Sequence, residues 1–225
     1  MIKFYRISVF IIALLAITSL GFSQSNEIKI IFIGNCGLHL TDGSSNLYID
    51  FPYKSGAYGY MKYDQTEIDN IRENAIFLFT HKHADHYSKK NLKRIKSKHK
   101  GNVFGSLNTN NFEKLTTSIN DFKIEAFKTK HRFSFKHYSY LITWHGKRLF
   151  LSGDTESAET IATIKDINWA FVPVWIVLDA KEKNLKINAD KIGVYHLYPT
   201  ETIKNADPNK YLVLKQQGEE VSIPY

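Results

Sequence analysis

The sequence predicts an α/β protein in which mixed β-sheets are covered by helices. Three observations lead there. Short runs rich in Ile, Val, Phe and Tyr recur along the chain and often alternate with polar residues, as strands do. Stretches with helical signals lie between some of these runs. Glycine turns at Gly43 and Gly146 join other runs directly, so hairpins are interleaved with strand–helix alternation. That mixture argues against a purely parallel, doubly wound sheet.

The strand-like runs are residues 28–33, 46–50, 76–80, 122–127, 138–144, 148–152, 169–174 and 210–214. Helix-like stretches cover residues 66–73, with Asp64 or Thr66 as the N-cap, and 88–98, capped by Ser88. Others cover 108–115, 157–165 and 200–205. In the second stretch Leu92 and Ile95 share a face, and Lys89, Lys90, Lys93, Arg94, Lys96 and Lys98 surround it. This reads as a solvated basic face. No aromatic residue interleaves with its charges over 91–100, as a nucleic-acid stacking platform would require.

The chain has 225 residues, enough for one well-buried core, and carries a formal charge of +8. With 43% apolar and 23% charged residues it is neither disordered, nor collagen-like, nor a coiled-coil rod. Its one cysteine excludes a disulfide framework and any four-cysteine metal site. Cys36 reads as a small, semi-buried thiol rather than a nucleophile. No glycine-rich phosphate loop of standard spacing is present. Lys3 and Arg6 precede an apolar run over residues 7–20, and Gly21-Phe22-Ser23 then offers small residues at a cleavage site. That order reads as a secretory signal over residues 1–23, with an uncleaved N-terminal anchor as the alternative, and the run falls short of the roughly 20 residues that span a membrane. The expectation is an exported single domain, residues 24–225, with no transmembrane segment and a charge lowered to +6 by loss of Lys3 and Arg6.

Chemistry concentrates in Phe79-Thr80-His81-Lys82-His83-Ala84-Asp85-His86, at the end of an apolar run. In an extended segment alternate side chains share a face, so His81, His83 and Asp85 point together and Lys82 points away. A turn at Ala84–Asp85 lets His86 swing into the same cavity. Imidazole and carboxylate are ligands for zinc and similar ions. Three further residues of ligand type stand at apparent strand ends: His131, Asp154 in Ser152-Gly153-Asp154-Thr155, and His196 in Tyr195-His196-Leu197.

The His-x-His-x-Asp-His segment, followed by His131, Asp154 in Gly-Asp-Thr, and His196, resembles the metallo-β-lactamase superfamily. Upstream, Ile31-Phe32-Ile33-Gly34 and then Asn46-Leu47-Tyr48-Ile49-Asp50 resemble that family's first hairpin with its terminal aspartate. The resemblance implies a four-layer αβ/βα sandwich, two mixed sheets face to face with helices outside. It also implies two divalent ions, zinc or in its place manganese, in a cleft at the sheet edge. One would be held by His81, His83 and His131, the other by Asp85, His86 and His196. Asp154 would bridge them, and Asp85 and Asp154 would be the catalytic carboxylates. Two such cations about 3.5–4 Å apart repel, and a shared carboxylate and hydroxide offset that.

The implied function is a dinuclear-metal hydrolase that uses metal-bound hydroxide on an ester, lactone or phosphodiester of a small molecule or lipid. Glutamate at the second histidine would mark the redox di-iron branch, and His83 stands there instead. No cysteine stands near Asp154 in the sequence, which disfavours the cysteine-containing β-lactamases. The pattern is most similar to the group containing ascorbate-phosphate lactonases and N-acyl-phosphatidylethanolamine-type phospholipases. A non-catalytic metal-binding protein on the same fold and a secreted nuclease are the alternatives. Around the cleft, Tyr87 reads as packing and Trp175 as a pocket wall. Tyr53, Tyr58, Tyr60 and Tyr63 form a loop that either clamps substrate or packs on itself. His131 is preferred over His137 as the ligand, with His137 nearby orienting a ligand or meeting substrate. His39, His99 and His145 read as surface or structural.

Overall fold

A computed structural model describes residues 26–108, 111–201, 203–204 and 206–225. The expected signal segment, residues 1–23, lies outside them, as do parts of the helical stretches expected over 108–115 and 200–205. The strands, in chain order, are β1 (Glu27–Gly34), β2 (Gly37–Thr41), β3 (Asn46–Ile49), β4 (Ala75–Phe79), β5 (Gly101–Gly105) and β6 (Phe122–His131). They continue with β7 (Ser134–Trp144), β8 (Lys147–Leu151), β9 (Ile167–Pro173), β10 (Ala189–Tyr195), β11 (Tyr211–Val213) and β12 (Glu220–Pro224). The helices are α1 (Thr66–Asp69), α2 (Lys89–Lys98), α3 (Phe112–Ser118), α4 (Glu159–Thr163) and α5 (Val174–Glu182). None among the described residues is long and apolar enough to cross a membrane.

The strands form two six-stranded mixed sheets, β12-β1-β2-β3-β4-β5 and β11-β10-β9-β8-β7-β6. Alternation along the strands decides what lies between and outside them. Leu38, Leu40, Leu47 and Leu78 of the first sheet meet Tyr140, Ile142, Trp144, Leu149 and Phe171 of the second in one buried core. The other face of the first sheet, with Tyr48, Phe77 and Phe79, is covered by Ile68 of α1 and by Leu92 and Ile95 of α2. The other face of the second, with Leu141, Phe150 and Val172, is covered by Ile161 of α4 and by Ile176 and Ala180 of α5. β4 and β9 are near-continuously apolar because both of their faces are covered.

Strand direction positions the site. β1 and β3 each run antiparallel to β2, and β3, β4 and β5 are mutually parallel. Likewise β6 and β8 each run antiparallel to β7, and β8, β9 and β10 are parallel. The carboxyl ends of β1, β3 and β4 therefore share one edge of their sheet, and those of β6, β8, β9 and β10 share one edge of the other. Ligand sites of open α/β sheets occur outside such ends.

Several elements differ from the sequence reading. β2, β5 and β12 have no counterpart among the expected runs, and of β10 the sequence indicates only the end at His196. β5 is a glycine-bounded GNVFG, Asp190 and Lys191 interrupt the apolar pattern of β10, and β12 is a short edge strand ending in proline. β6 continues through Lys128-Thr129-Lys130 to His131, because main-chain pairing with β7 carries it past its apolar part. α5 begins directly after Pro173, where the apolar run gave no sign of a change in period. Ser88 does cap α2, its hydroxyl accepting from the Asn91 N–H.

A polar tie joins the β2–β3 turn to the second sheet. Asp42 accepts from the Ser44 and Ser45 N–H groups at 2.9 and 2.7 Å, and His145 Nε2 lies 2.9 Å from its other oxygen. Burial opposes ionisation of Asp42, but these hydrogen bonds hold its carboxyl below the usual range. A depressed folded-state pKa gives stability that is present above the unfolded value and is lost as pH falls through the folded one. Asp42→Asn is expected to cost about 1 kcal/mol at neutral pH. The deficit relative to wild type should shrink as pH falls below about 4. Urea melts at neutral and acid pH check this.

Candidate metal centre

The histidine-rich segment leaves β4 at Thr80 and turns at once, the His86 and Tyr87 N–H groups both bonding back to His83 O at 3.0 and 2.9 Å. This local turn brings His81, His83, Asp85 and His86 to one place, as their spacing predicts. His81 and His86 are fully buried, Asp85 nearly so, and Lys82 is exposed. His131 arrives from the end of β6, Asp154 from the end of β8 and His196 from the end of β10. Gly153 and His196 both adopt left-handed backbone, with φ of 56° and 57°. At Gly153 this is required, since a Cβ would stand 2.8 Å from both His137 Nε2 and Thr80 Cβ.

The ligand-type atoms fall into two groups. Nitrogens of His81, His83 and His131 lie within 4.8 Å of one another. So do atoms of His86, Asp154, His196 and, unexpectedly, Cys36. Asp154 Oδ2 is 3.0 Å from His86 Nε2, 3.1 Å from His196 Nε2 and 3.9 Å from His131 Nε2, so it stands between the groups. Asp85 Oδ2 is 3.3 Å from His196 Nε2 and 3.6 Å from His86 Nε2. Asn35, in the turn after β1, donates through its side-chain amide to Asp85 O at 2.7 Å and thereby fixes this loop.

Asp50, at the end of β3, is 1% exposed and receives three donors. The Thr80 N–H reaches Oδ1 at 2.7 Å, and the Thr80 hydroxyl and His86 Nδ1 reach Oδ2 at 2.7 and 2.9 Å. Hydroxyl and imidazole tautomers follow from this. The single Thr80 hydroxyl proton goes to the carboxylate, so Oγ1 accepts from His81 Nδ1 at 3.1 Å. His81 and His86 therefore each carry a proton on Nδ1 and turn Nε2 toward the cleft. Neither Nε2 has a hydrogen-bond partner of good geometry, nor has that of His196.

Electrostatics point the same way. Burial alone would raise the Asp154 carboxyl, but His86 and His196 hold it well below the usual carboxylate range. Burial disfavours charge on His86 and His196, yet Asp154 pulls both upward, His196 to about 9. Burial and the neighbouring imidazole of His86 push His81 down. Imidazoles drawn toward protonation beside a carboxylate in a dry cleft form a set in which a divalent cation can take the place of the protons. The donor set of imidazole and carboxylate fits such an ion.

His137 is placed differently from His131. It is fully buried, its Nε2 accepts the Asp154 N–H at 2.9 Å, and its Nδ1 lies 2.7 Å from Thr129 Oγ1. Both nitrogens are thus committed, and His137 holds the backbone of Asp154; it does not face substrate. Burial lowers its pKa to about 3, so it stays neutral in this acceptor role.

The other residues singled out in the sequence take definite places. Trp175 packs edge-on against His196 at 5.0 Å, and its indole N–H donates to Thr155 O. Tyr87 packs on Phe79. Within the tyrosine loop both readings hold in part: Tyr53 and Tyr63 pack together, while Tyr60 stacks near Tyr198 and Tyr58 stays 69% exposed. Burial and then the charge of Asp85 raise the Tyr58 hydroxyl, against the opposing effect of His86. A cavity of about 340 Å³ adjoins the site, lined among others by Asn35, Tyr60, Met61, Leu197 and Tyr198, although none of the ligand-type residues lines it. His39 stacks on Tyr48, and His99 ends α2. Sequence reasoning assigned no role to Thr80 and did not place Cys36 here. Only the Gly34-Asn35-Cys36 turn hinted at the latter.

The sequence matches no family model and no curated protein. Its structure is similar to that of the metallo-β-lactamase fold protein YhfI from Bacillus subtilis, with a TM-score of 0.63 and 14% identity over 88% of this chain and 99% of that one. It is also similar to a metallo hydrolase from Ignicoccus hospitalis, with a TM-score of 0.59 and 16% identity over 88% and 99% of the two chains. A protein named as a metal-dependent hydrolase from Parabacteroides distasonis gives a TM-score of 0.58 and 24% identity over 83% and 92%. The fold is thus the metallo-β-lactamase αβ/βα sandwich, as the motif implied.

The roles of His131 and His137 separate by measurement. His137→Ala should cost the metal-free protein about 2–4 kcal/mol, from an unpaired buried N–H and a cavity, while the folded variant keeps its ions. His131→Ala should barely change the metal-free stability and should lose an ion. Thermal melts with elemental analysis of both variants distinguish these outcomes.

Proposed function

We propose that the protein is a metal-dependent hydrolase with a dinuclear centre. The observation that carries this reading is the convergence of His81, His83, Asp85, His86, His131, Asp154 and His196 from four strand ends, with Nε2 of His81, His86 and His196 left without a hydrogen-bond partner and His83 and His131 meeting at 3.0 Å. His81, His83 and His131 would hold one ion, and Asp85, His86 and His196 the other, with Asp154 shared. When bound, such ions supply Lewis acidity and an ionised water at neutral pH. Zinc is the proposed metal, because imidazole dominates the donor set.

The chain's own residues do the rest. Asp50 and Thr80 hold two imidazoles in the tautomer that binds. His137 holds the Asp154 main chain, and Asn35 holds that of Asp85. Both carboxylates therefore stay in place as charge develops on a substrate. Tyr58 at the rim and the cavity bounded by Tyr60, Met61, Leu197 and Tyr198 offer aromatic and apolar contact to a substrate's non-reacting part. This suits an ester, lactone or phosphodiester of a small molecule or lipid. That substrate class matches the motif's likeness to ascorbate-phosphate lactonases and N-acyl-phosphatidylethanolamine-type phospholipases.

The purified protein should contain close to two divalent ions and hydrolyse a generic ester, lactone or bis-aryl phosphate when loaded with zinc. Asp154→Ala should lose an ion and most turnover while keeping its fold, because the residue sits at the sheet edge. Elemental analysis, circular dichroism and a substrate screen check this. Wild-type protein with no bound metal, and no gain in melting temperature on adding zinc, would sink the reading.

The same proposal places the enzyme outside the cytoplasm, on the strength of Lys3, Arg6 and the apolar run over 7–20. N-terminal sequencing of protein from its native cell should begin at or near Gln24; an intact Met1 on cytoplasmic protein would refute it.

A further inference from the structure

We propose that Cys36 is a thiolate ligand of the ion held by His86 and His196, so that this half of the centre carries sulfur. The inference rests on the metal reading above and adds a ligand that the histidine–aspartate motif does not contain. Cys36 lies in the turn between β1 and β2 and is fully buried. Its Sγ is 3.6 Å from Asp154 Oδ1. Sulfur, an oxygen of Asp154 and nitrogens of His86 and His196 all lie within 4.8 Å of one another. With Zn–S near 2.3 Å and Zn–N near 2.0–2.1 Å, ligand atoms around one tetrahedral ion stand roughly 3.3–3.6 Å apart. The sulfur is thus at ligand distance from the carboxylate.

A second observation, independent of the thiol, points to the same spot. His86 Nε2 and His196 Nε2 are buried, lack well-formed hydrogen bonds and both face Asp154. The turn that carries Cys36 is tied down from both sides of the cleft: the Asn35 amide donates to Asp85 O, and Asn35 O accepts the His196 N–H at 3.1 Å. The backbone that places the sulfur is therefore bonded to the strand ends that place Asp85 and His196.

Binding replaces the S–H bond by an S–metal bond, and the thiol proton leaves to solvent. The chemical consequence is selectivity. A thiolate softens the site and favours zinc over manganese or magnesium, whereas carboxylates and imidazoles alone discriminate less.

The test uses the metal-free protein from residue 24 onward, which retains Cys36 and Met61 as its only sulfur-bearing residues. Cobalt(II) is added and the absorption spectrum recorded; zinc-loaded protein is examined by X-ray absorption at the zinc edge. The expected result is an intense thiolate-to-cobalt charge-transfer band in the near ultraviolet, alongside weaker ligand-field bands. A sulfur neighbour near ~2.3 Å from zinc should accompany it. Cys36→Ser should abolish the charge-transfer band and the sulfur neighbour while keeping ligand-field bands from the remaining donors. Because the wild-type spectra alone decide the question, a poorly folding variant leaves it decided. Ligand-field bands without the charge-transfer band, and zinc with only nitrogen and oxygen neighbours, would overturn the thiolate and leave the metal reading standing. Failure to take up either metal would overturn both.

Discussion

Asp50 is the constraint on which the site's chemistry hangs. A carboxylate with 1% exposure is costly unless every lone pair facing the protein is used. Burial pushes its pKa up, against the pull of His86 and Thr80. The donors that satisfy it come from the segment carrying the ligands: the Thr80 N–H, the Thr80 hydroxyl and His86 Nδ1. Satisfying Asp50 therefore fixes which nitrogen of His86 is protonated and, through one hydroxyl proton, which nitrogen of His81 is. One imidazole from each half of the centre is prepared by a single buried carboxylate on a neighbouring strand. Such outer partners orient metal ligands and raise their basicity.

The two halves of the centre differ in charge. The first is three imidazoles, of which His81 is pushed towards the neutral form by burial. The second is flanked by Asp85 and Asp154, and the Cys36 sulfur adds to it. Asp154 links them, and its main chain is held in turn by His137, itself tied to Thr129 of β6. The ligand-bearing ends of the two sheets are joined by the His196 N–H, which donates to Asn35 O, and by the 3.0 Å contact between His131 and His83. That gives the site a fixed shape of its own, which the proposed hydrolytic centre would need in order to stabilise developing charge without reorganising. The cavity beside this shape is bordered by the Tyr60–Tyr198 pair, which offers it aromatic contact.

Much of this was legible in the residues. Hairpin turns mixed with strand–helix alternation gave the mixed sheets, and the spacing of His81, His83, Asp85 and His86 gave the local cluster. Both rest on interactions between near neighbours in the chain, which periodicity reports directly. Elements whose pattern is interrupted were harder. β10 contains Asp190 and Lys191, and the continuation of β6 to His131 is polar, because pairing along the backbone needs no apolar side chain. α5 follows its strand without a break in hydrophobicity.

What the sequence determined by itself is the identity of the donors and the local geometry around them: a strand, a tight turn, and four ligand-type side chains within six residues. The family resemblance named His131, Asp154 and His196 as their distant partners; the tertiary structure gives the reason they meet and adds Cys36 to them. Cys36, Asp50, Asp154 and His196 are far apart in the chain, and they meet because the strands that carry them run in the same direction in each sheet and end at one edge. Strand direction depends on the number of hairpins and crossovers between strands, which no single segment records. A cysteine that looks remote along the chain is for that reason 3.6 Å from the carboxylate at the centre of the site.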